Sequence, residues 1–176
     1  MRSRESQSSD HRTHQIAIIA VVIGCVFITL AAAFFISARS RTLVLSNAKT
    51  GEVYARYRLK TGDTFGVSFI HSVNKSPLTD YYEIRRDGIY VVKTVYYGFG
   101  AGVQTQLEGN ETLTYGDDGS MIVTGFDRKM DDLIYIVGTV SDHTLIINDT
   151  TRVSLRDLCG RNAMVRFESR GFGLTG

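Results

Sequence analysis

The fold is decided by a stretch with the pattern of a β-hairpin, and it reads Thr64-Phe-Gly-Val-Ser-Phe-Ile-His-Ser-Val-Asn-Lys-Ser-Pro-Leu-Thr-Asp-Tyr-Tyr-Glu-Ile-Arg-Arg86. Two segments with alternating apolar residues, Thr64 to Ser72 and Leu78 to Arg86, flank a short polar turn. The turn holds Pro77, the single proline of the chain. Because side chains alternate between the two faces of a strand, this pattern predicts two antiparallel strands.

Short runs rich in β-forming residues continue on both sides of this hairpin. They recur at a spacing of roughly 8–12 residues with glycine and aspartate turns between them, which is typical of a β-sandwich or barrel. One turn of helix is predicted at Leu155–Cys159. We therefore expect an all-β domain of about ten short antiparallel strands over residues 42–170. Besides the hairpin, the predicted strands cover residues 42–45, 52–59, 89–97, 111–115, 121–126, 133–140, 143–148, 151–155 and 163–168.

A long uncharged segment, Ile16 to Ala38, precedes the β-domain and follows a polar tail of residues 1–15. As a helix it would be roughly 35 Å long, enough to cross a hydrocarbon core of about 30 Å. A cleaved signal peptide is the alternative, but its apolar core is usually only about 7–15 residues long. The segment predicts one transmembrane helix that acts as a signal anchor in the cell membrane.

The arginines and lysines near the two ends of this segment do not decide its orientation. Three arginines precede it, and Arg39, Arg41 and Lys49 follow it, so the two sides tie. A short tail before the helix and a whole domain after it favour a single-pass anchor with an extracytoplasmic domain. Cys25 lies in the apolar segment and Cys159 in the β-domain, so no disulfide is expected within the chain.

The two parts of the chain differ in net charge. Residues 1–41 contain five arginines and two acidic residues, which gives +3, whereas the whole chain carries +2. The remainder therefore has a net charge of −1. Since binding to nucleic acid depends on positive charge, we expect no nucleic-acid partner.

The hairpin also contains the strongest candidate site. Alternation puts Phe69 and His71 on the apolar face, and pairing them around the polar turn brings Phe69 opposite Tyr82 and His71 opposite Asp80. Ser72 points to the other face, so it is no nucleophile paired with His71. The expected His71–Asp80 contact is either a structural hydrogen bond that locks the hairpin end or a recognition site at the sheet rim.

Two further features of the sequence are candidate sites. The glycine-rich stretch Gly98-Phe-Gly-Ala-Gly102, with Gly100 at its centre, lacks the spacing of a dinucleotide-binding loop. It predicts either a tight connection or a loop that lets a ligand approach the backbone. His143 could join His71 at a metal, but no known ligand spacing supports this. We expect no metal, no cofactor and no enzymatic activity.

The hairpin motif and the glycine motif together resemble the prokaryotic domain-of-unknown-function family numbered 1850. That family has a His-Ser-Val segment, a proline, a nearby acidic residue and a later Gly-Ala-Gly. Here the matching positions are His71, Ser72, Pro77, Asp80, Gly100 and Gly102, and the resemblance extends over roughly Leu43 to Glu168. Asn74 departs from the pattern, because an acidic residue is common at that point.

The resemblance implies a function, because genes of the family lie beside or are fused to permeases of tripartite ATP-independent periplasmic (TRAP) transporters of the TAXI type. It implies a membrane-anchored, non-catalytic accessory subunit whose partners are the bilayer, a permease and a solute-binding subunit. The alternative is an anchored domain that binds a small molecule at the His71–Asp80 rim. A hydrolase is disfavoured because no nucleophile has a suitably placed base.

Overall fold

The computed structural model describes residues 22–32, 38–72, 75–98 and 107–171. The chain divides into two compact units, Met1–Arg39 and Ser40–Gly176.

The first unit contains helix α1, which covers residues 22–32. Every described residue of this helix is exposed, including Phe27 and Ile28 at 70% each. Among the described residues, none of the helices has the combined length and apolar character required to cross a bilayer. The predicted membrane helix from Ile16 to Ala38 thus gains no support from α1, and about half of its residues lie outside the described ranges. It stays a prediction.

The second unit is an all-β sandwich of two antiparallel sheets, which confirms the predicted fold class. Its described strands begin two residues before and end one residue after the predicted domain of residues 42–170. In chain order they are β1 (Ser40–Asn47), β2 (Val53–Lys60), β3 (Thr64–Ile70), β4 (Pro77–Arg85), β5 (Gly88–Tyr96), β6 (Thr112–Tyr115), β7 (Met121–Lys129), β8 (Leu133–Ile136), β9 (Thr144–Ile147), β10 (Thr151–Ser154) and β11 (Met164–Gly171).

The strands are distributed unevenly between the sheets. One sheet has the order β2-β1-β11-β8, and the other has the order β10-β9-β3-β4-β5-β7-β6. Helix α2 (Leu155–Cys159) joins β10 to β11 and matches the predicted helical turn. Ser154 caps its N-terminus by accepting a hydrogen bond from the backbone N–H of Asp157, which satisfies a donor that the helix leaves free.

The core lies between the sheets and is organised around Phe65, which is 1% exposed. Its ring stacks on Tyr82 of β4 at 5.1 Å between centroids and on Phe167 of β11 at 5.7 Å. Because Tyr82 and Phe167 belong to different sheets, one side chain ties the two layers together. Leu43, Ile84 and other aliphatic side chains fill the space around it.

Several loops leave the sandwich at the same end. β3 ends at Ile70 opposite the start of β4 at Pro77, and β5 ends at Tyr96, opposite Leu78. β9 begins at Thr144, opposite Ser68 near the end of β3. We name the described residues 71–72, 75–76, 97–98 and 137–143 the loop rim. β1 begins at Ser40 at the opposite end of the sandwich, which we name the Ser40 end.

Candidate functional site at the loop rim

The hairpin has the predicted faces but not the predicted register. β3 and β4 pair so that Val67, not His71, lies opposite Asp80, and Phe65 rather than Phe69 lies opposite Tyr82. The strands close earlier than expected because the turn occupies residues 71–76 instead of 73–78. The predicted pairing of His71 with Asp80 is therefore wrong. His71 comes four residues after Val67, the observed partner of Asp80, and four residues along a strand correspond to roughly 13 Å.

His71 and Ser72 lie in the turn and not on a strand. The backbone N–H of His71 donates to the carbonyl of Ser76 at 2.9 Å, and Lys75 N–H donates to the carbonyl of His71 at 2.9 Å. Lys75 has a φ of 54°, a left-handed conformation that tightens the turn. Pro77, exposed, is the first residue of β4, a position where its missing N–H is tolerated.

The glycine motif begins at the same end of the sheet. Gly98 lies two residues after the end of β5, has a φ of 81° and is exposed. Gly100 and Gly102 lie outside the described residues. The structure therefore brings His71, Ser72, Pro77 and Gly98 to the loop rim, whereas Asp80 lies three residues further down β4 on its core-facing side.

Asp80 is the centre of a polar cluster in the interior of the sandwich. Its Oδ1 accepts a hydrogen bond from the Thr94 hydroxyl at 2.8 Å, and its Oδ2 accepts one from the Tyr135 hydroxyl at 3.0 Å. Burial raises the pKa of the Asp80 carboxyl, while these two hydrogen bonds and the charge of Arg128 act in the opposite direction without cancelling it.

The cluster joins the two sheets through tyrosine hydroxyls. The hydroxyl oxygens of Tyr82 and Tyr135 lie 2.6 Å apart. Since Tyr135 donates its proton to Asp80, Tyr82 must be the donor to Tyr135. Burial is the main cause of the raised pKa of both phenols, and the nearby Asp80 charge adds to it. Both tyrosines therefore remain neutral donors at physiological pH.

His143, the last residue of the rim loop 137–143, contacts this cluster through Tyr135. Its ring stacks on Phe69 at 4.9 Å and meets Tyr135 edge-on at 6.0 Å. Its Nδ1 accepts a hydrogen bond from the backbone N–H of Gly138 at 3.1 Å, which fixes the loop from 137 to 143. Burial lowers the pKa of His143 below its usual value, although the neighbouring Asp142 carboxylate opposes this. The histidine is thus neutral at pH 7.

Sequence reasoning found Asp80 but missed its partners. Tyr135 and Thr94 are 55 and 14 residues away along the chain, and nothing local to Asp80 indicates them. His143 was weighed only as a weak metal ligand. Within the described residues, no group of three or more His, Cys, Asp or Glu side chains could hold a metal ion.

The hydrogen bonds of this cluster give it a structural role in the interior, below the loop rim. Both carboxylate oxygens of Asp80 have donors, and Nδ1 of His143 has one. Together, Asp80, Tyr82 and Tyr135 hold the two sheets in one relative position below the loop rim. The groups that are exposed to solvent at this end of the sandwich lie in the loops of the rim.

The sequence profile of a domain of unknown function, DUF1850, matches residues 65–153, just over half of the 176 residues. The chain belongs to the DUF1850 family. The matched region runs from β3 to β10 and includes the hairpin, the polar cluster and the loop rim, whereas β1, β2 and β11 lie outside it. Searches of curated proteins and of solved structures gave no match.

The raised pKa of Asp80 predicts a distinctive dependence of stability on pH. An acid whose pKa is higher in the folded state stabilises the fold most below its unfolded pKa of about 3.9, and this contribution is lost as pH rises through the folded pKa. Asp80→Asn is neutral at every pH. The free energy of unfolding of the wild type, relative to the variant, is expected to fall as pH rises from about 4.

Urea unfolding of both proteins across the acidic pH range measures this difference, because the neighbouring Tyr82 and Tyr135 stay protonated in both chains there. A difference that stays constant with pH, or that changes in the opposite direction, would show that the pKa of Asp80 is not raised in the folded protein.

Proposed function

We propose that the chain is a membrane-anchored, non-catalytic accessory subunit of a solute transporter. Its β-sandwich contacts the permease or the solute-binding subunit through the loop rim on the extracytoplasmic side of the cell membrane. The observation that carries the proposal is the contrast between a hydrogen-bonded polar interior and a rim that exposes apolar side chains. The TRAP transporters linked to the family by its gene neighbourhoods supply the partner class.

Apolar exposure at the rim supports a role in contact with another protein. Val140, within the rim loop of residues 137–143, is 93% exposed, and Ile70, the last residue of β3 before the rim, is 41% exposed. Aliphatic side chains that are exposed at one end of a domain are available for contact with another protein. Gly138, whose added Cβ would lie 2.2 Å from the carbonyl oxygen of Ser141, shows that the loop carrying Val140 is tightly folded.

The nucleophiles of the described part of the domain support a non-catalytic role. Burial raises the pKa of the Cys159 thiol to about 11, so it is protonated at neutral pH and a poor nucleophile. The Ser154 hydroxyl donates to Asp142 at 2.5 Å and also caps α2, and the neighbouring His143 accepts from Gly138. Ser154, Asp142 and His143 therefore lack the order of a catalytic triad.

The apolar N-terminal segment supports membrane attachment. It carries no charge from Ile16 to Ala38, and as one continuous helix it would be long enough to cross a bilayer. A helix that is apolar on all sides is stable when it is buried in lipid or in protein.

The small-molecule alternative that relied on a His71–Asp80 contact loses its basis, because the register separates these residues.

Photo-crosslinking of the full chain in its native membrane tests the proposal. A photoreactive residue in place of Val140 is expected to form adducts with a transporter permease or solute-binding subunit, identified by mass spectrometry. The matched control carries the same residue at Asp131, which is exposed at the Ser40 end of the sandwich, between β7 and β8.

Adducts with a transport protein several-fold more abundant from Val140 than from Asp131 would support the proposal. Equal yields from both positions, or adducts only with proteins unrelated to transport, would refute docking through the rim.

A further inference from the structure

A cavity of about 590 Å³ opens at the Ser40 end of the sandwich, at the opposite end from the loop rim. Small-molecule sites in proteins usually have volumes of about 300–1,000 Å³, so its size suits a compact ligand. Its walls come from the first residues of β1 and the last residues of β2. None of the motifs of the hairpin contributes to it.

The cavity is strongly basic, although the residues after position 41 sum to a net negative charge. Arg41, Arg56, Arg58 and Lys60 line it, and Asp63 is the one acidic residue among its lining residues. In the part of the chain that the structure describes, no carboxylate forms an ion pair with any of the four cations. A carboxylate oxygen of Asp63 instead accepts the backbone N–H of Lys60 at 2.9 Å.

Strand geometry aligns three of these cations. Residues 56, 58 and 60 alternate along β2, so their side chains share one face at intervals of roughly 7 Å. On β1, Thr42 pairs with Arg58 and Ser40 pairs with Lys60, so two hydroxyls lie on the same face. Three cations and two hydroxyls on one face of adjacent strands offer several hydrogen-bond donors to an anion.

Protection of a sheet edge explains part of this pattern but not all of it. β2 is an edge strand, and lysine or arginine on an edge discourages pairing with another chain. Arg41, however, lies on β1, an interior strand, opposite Leu59 on the core-facing side. Its Nη2 donates to the carbonyl of Arg86, while its Nε is buried without a hydrogen-bond partner among the described residues. Buried donors usually have a partner, and edge protection does not account for an arginine at this interior position.

We propose that this cavity binds a phosphate-bearing anion with a small hydroxylated group attached. Planar guanidinium groups match phosphate oxygens with two parallel hydrogen bonds, and Arg56 and Arg58 supply them. Ser40 and Thr42 lie where hydroxyl groups of the ligand would be recognised. The same chemistry occurs in the headgroup of an anionic phospholipid and in a soluble phosphate ester. The site is independent of the proposed transporter role, since it needs no partner protein.

Calorimetric titration of the full chain in a neutral detergent tests the site and separates the two sources. The probes are glycerol 3-phosphate, short-chain phosphatidylglycerol and, as a zwitterionic control, short-chain phosphatidylcholine. Arg56→Gln with Arg58→Gln is expected to weaken binding by about tenfold for each arginine removed, because each loses charge-assisted hydrogen bonds. Arg152→Gln with Arg161→Gln removes the same charge from exposed positions outside the cavity and controls for net charge.

Saturable binding of phosphatidylglycerol or glycerol 3-phosphate, lost in the first double variant and kept in the second, would establish the site, and the tighter probe would name the source. The absence of saturable binding to either probe would overturn the proposal. Equal weakening in both double variants would also overturn it, because it would mark a general charge effect.

Discussion

Phe65→Ala is expected to lower the free energy of unfolding by about 3–5 kcal/mol, the usual cost of removing a buried aromatic ring. Phe65 is 1% exposed and stacks on one aromatic ring from each sheet, so its loss leaves a cavity at the point where the layers meet. Urea denaturation of the full chain, followed by circular dichroism, measures the change. The cost is comparable with the whole stability of many domains of this size, so part of the variant is expected to be unfolded without denaturant.

Tyr115→Ala is the matched control, because this aromatic side chain is 67% exposed at the end of β6. Its effect is expected to be within about 0.5 kcal/mol. If Phe65→Ala cost no more than Tyr115→Ala, the two sheets would not depend on the stacked rings for their packing.

Tyr135→Phe is expected to cost about 2–3 kcal/mol even though it removes a single oxygen atom. That oxygen donates to Oδ2 of Asp80 and accepts from Tyr82, so its loss removes the hydrogen bond of Oδ2 and of the Tyr82 hydroxyl, while Thr94 still donates to Oδ1 of Asp80. The cost is expected to shrink in a chain that also carries Asp80→Asn, because the two residues belong to one network and their effects do not add. Urea unfolding of the two single variants and the double variant gives the coupling.

Tyr90→Phe provides the comparison, since the Tyr90 hydroxyl donates one exposed hydrogen bond to Asp87 at 2.8 Å. It is expected to change stability much less than Tyr135→Phe does, because water replaces the exposed hydrogen bond. Additive effects of Tyr135→Phe and Asp80→Asn would contradict the network, because independent sites give sums.

The hairpin shows which structural features a local sequence pattern can predict. Alternation identified the faces of β3 and β4 correctly, because a shift by an even number of residues keeps every side chain on its face. For the same reason alternation could not choose between registers that preserve parity. Two features accompany the observed register: the stacking of Phe65 on Tyr82 and the left-handed conformation of Lys75. A local pattern of apolar residues predicts neither of them.

The contacts within the polar cluster could not be predicted from the sequence. Asp80 was a candidate because of its place in the hairpin, but Tyr135 comes from the other sheet and His143 from a distant loop. Which residues face Asp80 depends on how the two sheets pack, and this is a property of the complete fold. The net charge of −1 after residue 41 does not indicate the basic cavity, because it averages a basic end of the domain with acidic loops elsewhere.

Cys159 has a consequence for where this fold can exist. With a pKa of about 11, roughly one thiol in ten thousand is ionised at pH 7, and thiol–disulfide exchange needs the thiolate. The described part of the sandwich contains no disulfide, and its layers are held by stacked rings and tyrosine hydroxyls. Its stability is therefore expected to be the same under oxidising and reducing conditions, so the redox state of a compartment places no demand on its folding.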